Sequence, residues 1–119
     1  MRFLCLIHLD ENEMAALPHA TMNELNVRHL ALNDSLRESG NFVEASALES
    51  SASAVRLRAP GGKRTVIDGP FAEAKELVAG FYLVEARDMQ EAIGIASRFP
   101  SASYGTVEIW PTRELAVDA

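Results

Sequence analysis

Two short segments, "RFLCLIH" at residues 2–8 and "GFYLVEA" at residues 80–86, restrict this chain more than any other feature. In the first, Phe3, Cys5 and Ile7 alternate with Leu4 and Leu6; in the second, Phe81 and Leu83 alternate with Tyr82 and Val84. A strand that is apolar on both faces belongs in the interior of a sheet, with a cover on each side. A chain of 119 residues is the size of one domain, so both segments are expected at the centre of a single sheet.

The covers are legible in part. From about Pro18 to Ser39, Met22, Leu25, Leu32 and Leu36 follow at steps of three, seven and four, which marks one face of a helix that stops at Gly40. His29 fills the missing step of that stripe. "NFVEASALES" reads as a short extended segment and a loop. "ASAVRLRA" alternates Val55 and Leu57 with Arg56 and Arg58 and is expected to be a half-exposed edge strand, turned by Pro60-Gly61-Gly62-Lys63 into "RTVID". Asp88 stands three residues before Glu91, a capping-box spacing that opens a helix over 89–99, expected to bury Ala92, Ile93, Ala96 and Phe99. "GTVEIW" supplies the last strand, closed by Pro111. The order strand, helix, hairpin strands, strand, helix, strand predicts an α+β ferredoxin-like sandwich over residues 1–112, with two helices on one face of an antiparallel sheet and a tail over 113–119. The other apolar sheet face needs its own cover, and a twofold homodimer supplies one.

Composition removes several classes of function. A formal net charge of -6 repels a polyphosphate backbone, so nucleic-acid binding is not expected. Cys5, the single cysteine, lies in an apolar strand and reads as core packing. The opening residues do not resemble a signal peptide, and no run is long enough to span a membrane, so a cytoplasmic protein is expected. No Gly-x-Gly-x-x-Gly, Walker or Gly-x-Ser-x-Gly pattern occurs, and the histidines and carboxylates show no metal-ligand spacing; neither a cofactor nor a metal is expected.

Candidate chemistry centres on His29, because an imidazole on the buried stripe of a helix must meet a polar partner. It reads either as a core histidine or as a general acid/base near neutral pH. Asp68 ends a strand against Gly69 and Pro70. Its carboxylate can hold an Asx-type turn through an N–H of Phe71 or Ala72, or orient a histidine at a pocket rim; its two oxygens allow both. His8 and Asp10 lie at the end of the first strand, and with Tyr82 and Trp110 they are expected to contribute to substrate binding. Arg56, Arg58, Lys63 and Arg64 gather on the hairpin, as an anion site or a solvated face.

The ordered set "FLCLIH-x-D", "DGPFAEAKE", "GFYLVEA", "EAIGIASRFP" and "G-x-VEIWP" resembles the YCII-related family, in its branch marked by an Asp-Gly-Pro-Phe motif, from Met1 to about Thr112. The resemblance implies a dimeric α/β-barrel built from ferredoxin-like protomers and a His–Asp pair in a cleft, which falls on His29 and Asp68. Two positions depart from the pattern. His8 stands where these proteins more often carry tyrosine or another residue, and Trp110 stands where arginine is found. The function expected is that of a small cofactor-independent acid/base enzyme, of lyase or isomerase type, working on a small organic substrate through the His–Asp pair. The alternative is a non-catalytic ligand-binding or regulatory module, linked by association to sigma-factor-dependent transcription.

Overall fold

In the computed structural model, which describes residues 1–69 and 75–118, the two doubly apolar segments become β1 (Arg2–Leu9) and β5 (Leu77–Glu85). They pair antiparallel, Phe3 opposite Val84 and Cys5 opposite Tyr82. Strands β2 (Phe42–Ala47) and β6 (Thr106–Pro111) flank them, giving the order β2-β5-β1-β6. This is the ferredoxin-like arrangement, with β1 and β5 central as their two apolar faces require.

The inner face of the sheet carries Phe3, Cys5, Ile7, Leu9, Tyr82 and Val84. Two helices cover it. Helix α2 (His19–Glu38) buries Leu25, Leu32 and Leu36; α3 (Met89–Ala96) buries Ala92, Ile95 and Ala96, and Phe99 follows into the same core. Each large apolar side chain taken out of water there contributes about 1.5–3 kcal/mol. Ile95 takes the place expected for Ile93, which is 42% exposed. Positions 92, 95, 96 and 99 form one helical face, and residue 93 turns away from it.

Helix α2 stops where the sequence indicates. Gly40 has φ 78°, and the N–H groups of Gly40 and Asn41 donate to the carbonyls of Arg37 and Leu36, at 3.2 and 2.9 Å. That is a Schellman closure, which favours glycine at its left-handed position. At α3, Asp88 accepts the N–H of Glu91 at 2.9 Å, but the Glu91 carboxylate turns to Arg87 rather than back to Asp88. A further short helix, α1 (Glu11–Ala15), follows β1 directly.

The segment expected as a sheet edge lies elsewhere. Among the described residues β3 (Val55–Arg58) and β4 (Thr65–Asp68) pair only with each other, as a two-stranded arm outside the main sheet. The true sheet edges are β2 and β6. The radius of gyration, 16.6 Å, exceeds the roughly 13.5 Å expected of a compact chain of this length, as a projecting arm requires. The residues expected to bond Asp68 in a turn, Phe71 and Ala72, and also Pro70, fall outside the described residues. At the arm's root the N–H of Gly69 donates to the Ala54 carbonyl at 2.7 Å.

On the outer sheet face Leu4, Leu6, Phe81 and Leu83 are half-exposed, and Trp110, paired with Leu4, is 56% exposed. Among the described residues no helix is long and apolar enough to cross a membrane.

Candidate functional site

Between α2 and the β2–β5–β1 part of the sheet lies an open pocket of about 990 Å³. Ile7, Leu9, Met22 and Leu25 make its walls apolar, and His29, Tyr82 and Ser101 supply polar groups at its base. His29 reaches it because residues 22, 25, 29, 32 and 36 share one helix face. Tyr82 reaches it from the inner face of β5, and Ser101 from the 3-10 turn Pro100–Tyr104.

These groups form one hydrogen-bonded chain. Tyr82 donates its hydroxyl proton to Asn33 Oδ1 at 2.6 Å. The same hydroxyl oxygen lies 2.9 Å from His29 Nδ1, and His29 Nε2 lies 3.0 Å from Ser101 Oγ. A hydroxyl has one proton, and that of Tyr82 is already committed, so Nδ1 must be the donor to Tyr82. In the neutral ring Nε2 is then unprotonated and accepts from Ser101. The order of donation runs from Ser101 to His29 to Tyr82 to Asn33.

Electrostatics favours that neutral ring. Burial, and secondarily the positive charge of Arg28, lowers the pKa of His29 below its usual 6.5. Burial raises Tyr82 to about 12, so its phenol keeps its proton. The ring of Tyr82 is further fixed by stacking on Phe99, with centroids 4.2 Å apart. The site therefore presents a neutral imidazole with its basic nitrogen and orientation set by neighbours.

Of the residues expected at the site, the structure brings Tyr82 to His29 and places the others elsewhere. Asp68 ends β4 on the exposed arm, opposite Val55, and among the described residues both ring nitrogens of His29 are engaged by Tyr82 and Ser101. His8 points to the outer sheet face, because Ile7 and Leu9 take the inner one; its Nε2 faces the carboxylate of Glu108. Asp10 caps α1, accepting the N–H groups of Asn12 and Glu13 at 2.9 and 3.2 Å. Trp110 lies on the outer face with Leu4. The basic residues of the hairpin sit on the arm, and the pocket lining holds two carboxylates, Glu11 and Glu49, with no lysine or arginine among the described residues.

Asn33 and Ser101 were not foreseen. Asn33 follows His29 by four residues on an exposed-to-buried helix boundary, a spacing that places the two side chains together and was available in the sequence. Ser101 is 72 residues from His29 and carries no local signal. Cys5 is buried in the core, and burial raises its thiol to about 11, which fits packing rather than nucleophilic chemistry. Among the described residues no group of three or more His, Cys, Asp or Glu side chains is arranged to hold a metal ion.

The model of the YCII-related domain matches residues 1–116. An uncharacterised protein of Rhizobium meliloti (strain 1021) is 37% identical over 76 residues, a stretch that covers 62% of this chain and 61% of that protein.

Proposed function

The chain belongs to the YCII-related family, and from that premise we propose that it is a small acid/base enzyme whose proton-transferring group is His29. The observation that carries this reading is the directed chain through Ser101, His29, Tyr82 and Asn33, which leaves an unprotonated Nε2 in a largely apolar pocket. An imidazole of lowered pKa is a base ready at neutral pH, and a dry wall strengthens its interaction with a reacting proton. In the expected His–Asp pair the carboxylate would fix the ring tautomer; here the Tyr82 hydroxyl, polarised by Asn33, fills that role. The substrate class that fits is a small cyclic or unsaturated organic molecule with one polar group to displace Ser101 from Nε2. Proton abstraction beside a carbonyl, leading to isomerisation or elimination, suits one base.

A second reading, ligand binding without turnover in a regulatory module, is favoured by the full hydrogen bonding of the ring, which needs no substrate to be satisfied. Both readings take a cytoplasmic homodimer, its contact formed by the outer sheet face with Leu4, Leu6, Phe81 and Leu83, as the working form.

The test separates the two. A set of small cyclic ketones and unsaturated carbonyl compounds is screened by ligand-observed nuclear magnetic resonance, and each binder is incubated with the protein in deuterium oxide. Protein-dependent deuterium uptake at the carbon beside the carbonyl, lost in His29→Gln with binding retained, supports the acid/base reading. Binding without uptake for every compound favours the second.

A further inference from the structure

We infer that the β3–β4 arm of one copy closes over the mouth of the His29 pocket in a second copy. The inference goes beyond the proposed chemistry and does not rest on it.

The arm is an unfinished structure. A two-stranded hairpin alone is marginal in water, since half its apolar surface has nothing to pack on. In the register Leu57 opposite Val66 and Val55 opposite Asp68, the side chains of Val55, Leu57 and Val66 share one face with that of Asp68 at its root end. All three are exposed, Leu57 by 60% and Val66 by 49%. The Gly69 to Ala54 hydrogen bond holds the arm's two legs together, and the arm joins the body beside Ser51, whose N–H and hydroxyl both donate to Glu11, at 2.7 and 2.9 Å.

The pocket mouth is the complementary surface. Leu30 and Leu48 line it while 65% and 48% exposed, and Glu11 and Glu49 lie beside them. Charge matches as well. Of the chain's 11 basic and 17 acidic side chains, residues 55–68 hold four basic and one acidic, so the arm is net positive and the remainder strongly negative. An apolar arm face with Lys63 and Arg64 at its tip meets an apolar rim with carboxylates around it. Because one chain carries both members, two copies related by a twofold axis satisfy both contacts at once and the assembly closes. Each pocket would then be completed by the other chain.

The arm is tested by paramagnetic broadening. A nitroxide is attached at Thr65→Cys, whose side chain shares a face with Arg56 and Arg58 rather than with Leu57; buried Cys5, its thiol held high, does not take the label. The labelled chain, without isotopes, is exchanged into mixed dimers with nitrogen-15 wild type. Broadening centred on Leu30, Leu48 and Glu49 is expected, weakened at high salt, and abolished when the labelled chain also carries Leu57→Glu and Val66→Glu. Both added substitutions are at exposed sites, so circular dichroism should stay unchanged. Broadening centred on Leu4, Leu6 and Trp110 would put the arm on the outer sheet face and overturn the inference. Absence of broadening in verified mixed dimers, or failure to form any mixed dimer, would overturn it too. None of these readouts depends on turnover by His29.

Discussion

His29 Nδ1 donates to the hydroxyl oxygen of Tyr82 across 2.9 Å, a direction set by Asn33, which takes the only proton that Tyr82 has. One helix thus holds both ends of the relationship, His29 and Asn33, and β5 supplies the middle. Tyr82 acts as a positioning residue: it fixes which nitrogen of His29 is basic.

Tyr82→Phe removes the acceptor for Nδ1–H and the donor to Asn33 while keeping the ring that stacks on Phe99. The two abandoned polar groups should lower stability by about 1–3 kcal/mol. The signature of positioning is spectroscopic. Nitrogen-15 shifts of His29 should change from a single tautomer with the proton on Nδ1 to a mixture, and activity should fall more than binding. A single unchanged tautomer in the variant would remove Tyr82 from this role.

The pH dependence of stability follows from the lowered pKa of His29. Above about pH 6.5 the ring is neutral in both folded and unfolded chains and contributes no slope. As pH falls below that value the unfolded chain binds the proton first, so stability declines until the lowered folded pKa is passed. Wild type and His29→Gln are compared by urea unfolding across this range. The wild type should lose stability more steeply on acidification, and parallel curves would show that His29 titrates alike in both states.

Glycines separate tight from open positions. A Cβ at Gly69 would meet the carbonyl oxygens of Ser51 and Ala54, the latter at 2.9 Å, so Gly69→Ala must displace backbone at the arm's root. A loss of about 1–3 kcal/mol is expected. Gly94 lies inside α3 with open space around it, and Gly94→Ala should instead gain about 0.5–1 kcal/mol by relieving the helix of a flexible residue. Thermal unfolding of the two variants reads the opposite signs directly.

The central part of the fold was legible because periodicity is a local signal. Residues 2–8 and 80–86 show two apolar faces, and residues 22–36 show one stripe, so β1, β5 and α2 with its histidine follow from the pattern. The arm was misplaced because alternation of Val55, Arg56, Leu57 and Arg58 fits an edge strand and a free hairpin equally well; pairing partners distant in sequence decide between them. Ile93 and Ile95 are equally apolar, and only the positions of Ala92, Ala96 and Phe99 choose Ile95. The site was half legible. His29 announced itself by its stripe, whereas Ser101 meets it only through the packing of the turn after α3.

Asp68 supplies the last prediction, since the family resemblance pairs it with His29 and the hydrogen bonds of His29 go elsewhere. An ionised carboxylate in contact with an imidazole raises its pKa. Burial and Arg28, which lower it, are the influences visible at His29. Asp68→Asn removes the charge with little change in shape at an exposed position on the arm. If Tyr82 and Ser101 hold His29 without Asp68, the ring should titrate in Asp68→Asn as it does in wild type, and its tautomer should be the same. A clear fall in the His29 pKa with the fold intact would show that Asp68 reaches the ring in the working assembly. Repeating the titration in dimers that mix Asp68→Asn chains with His29→Gln chains then assigns the source. Such a dimer keeps one intact His29, in the chain that lacks Asp68, so a pKa restored to the wild-type value means the carboxylate comes from the partner, and one still lowered means it comes from the same chain.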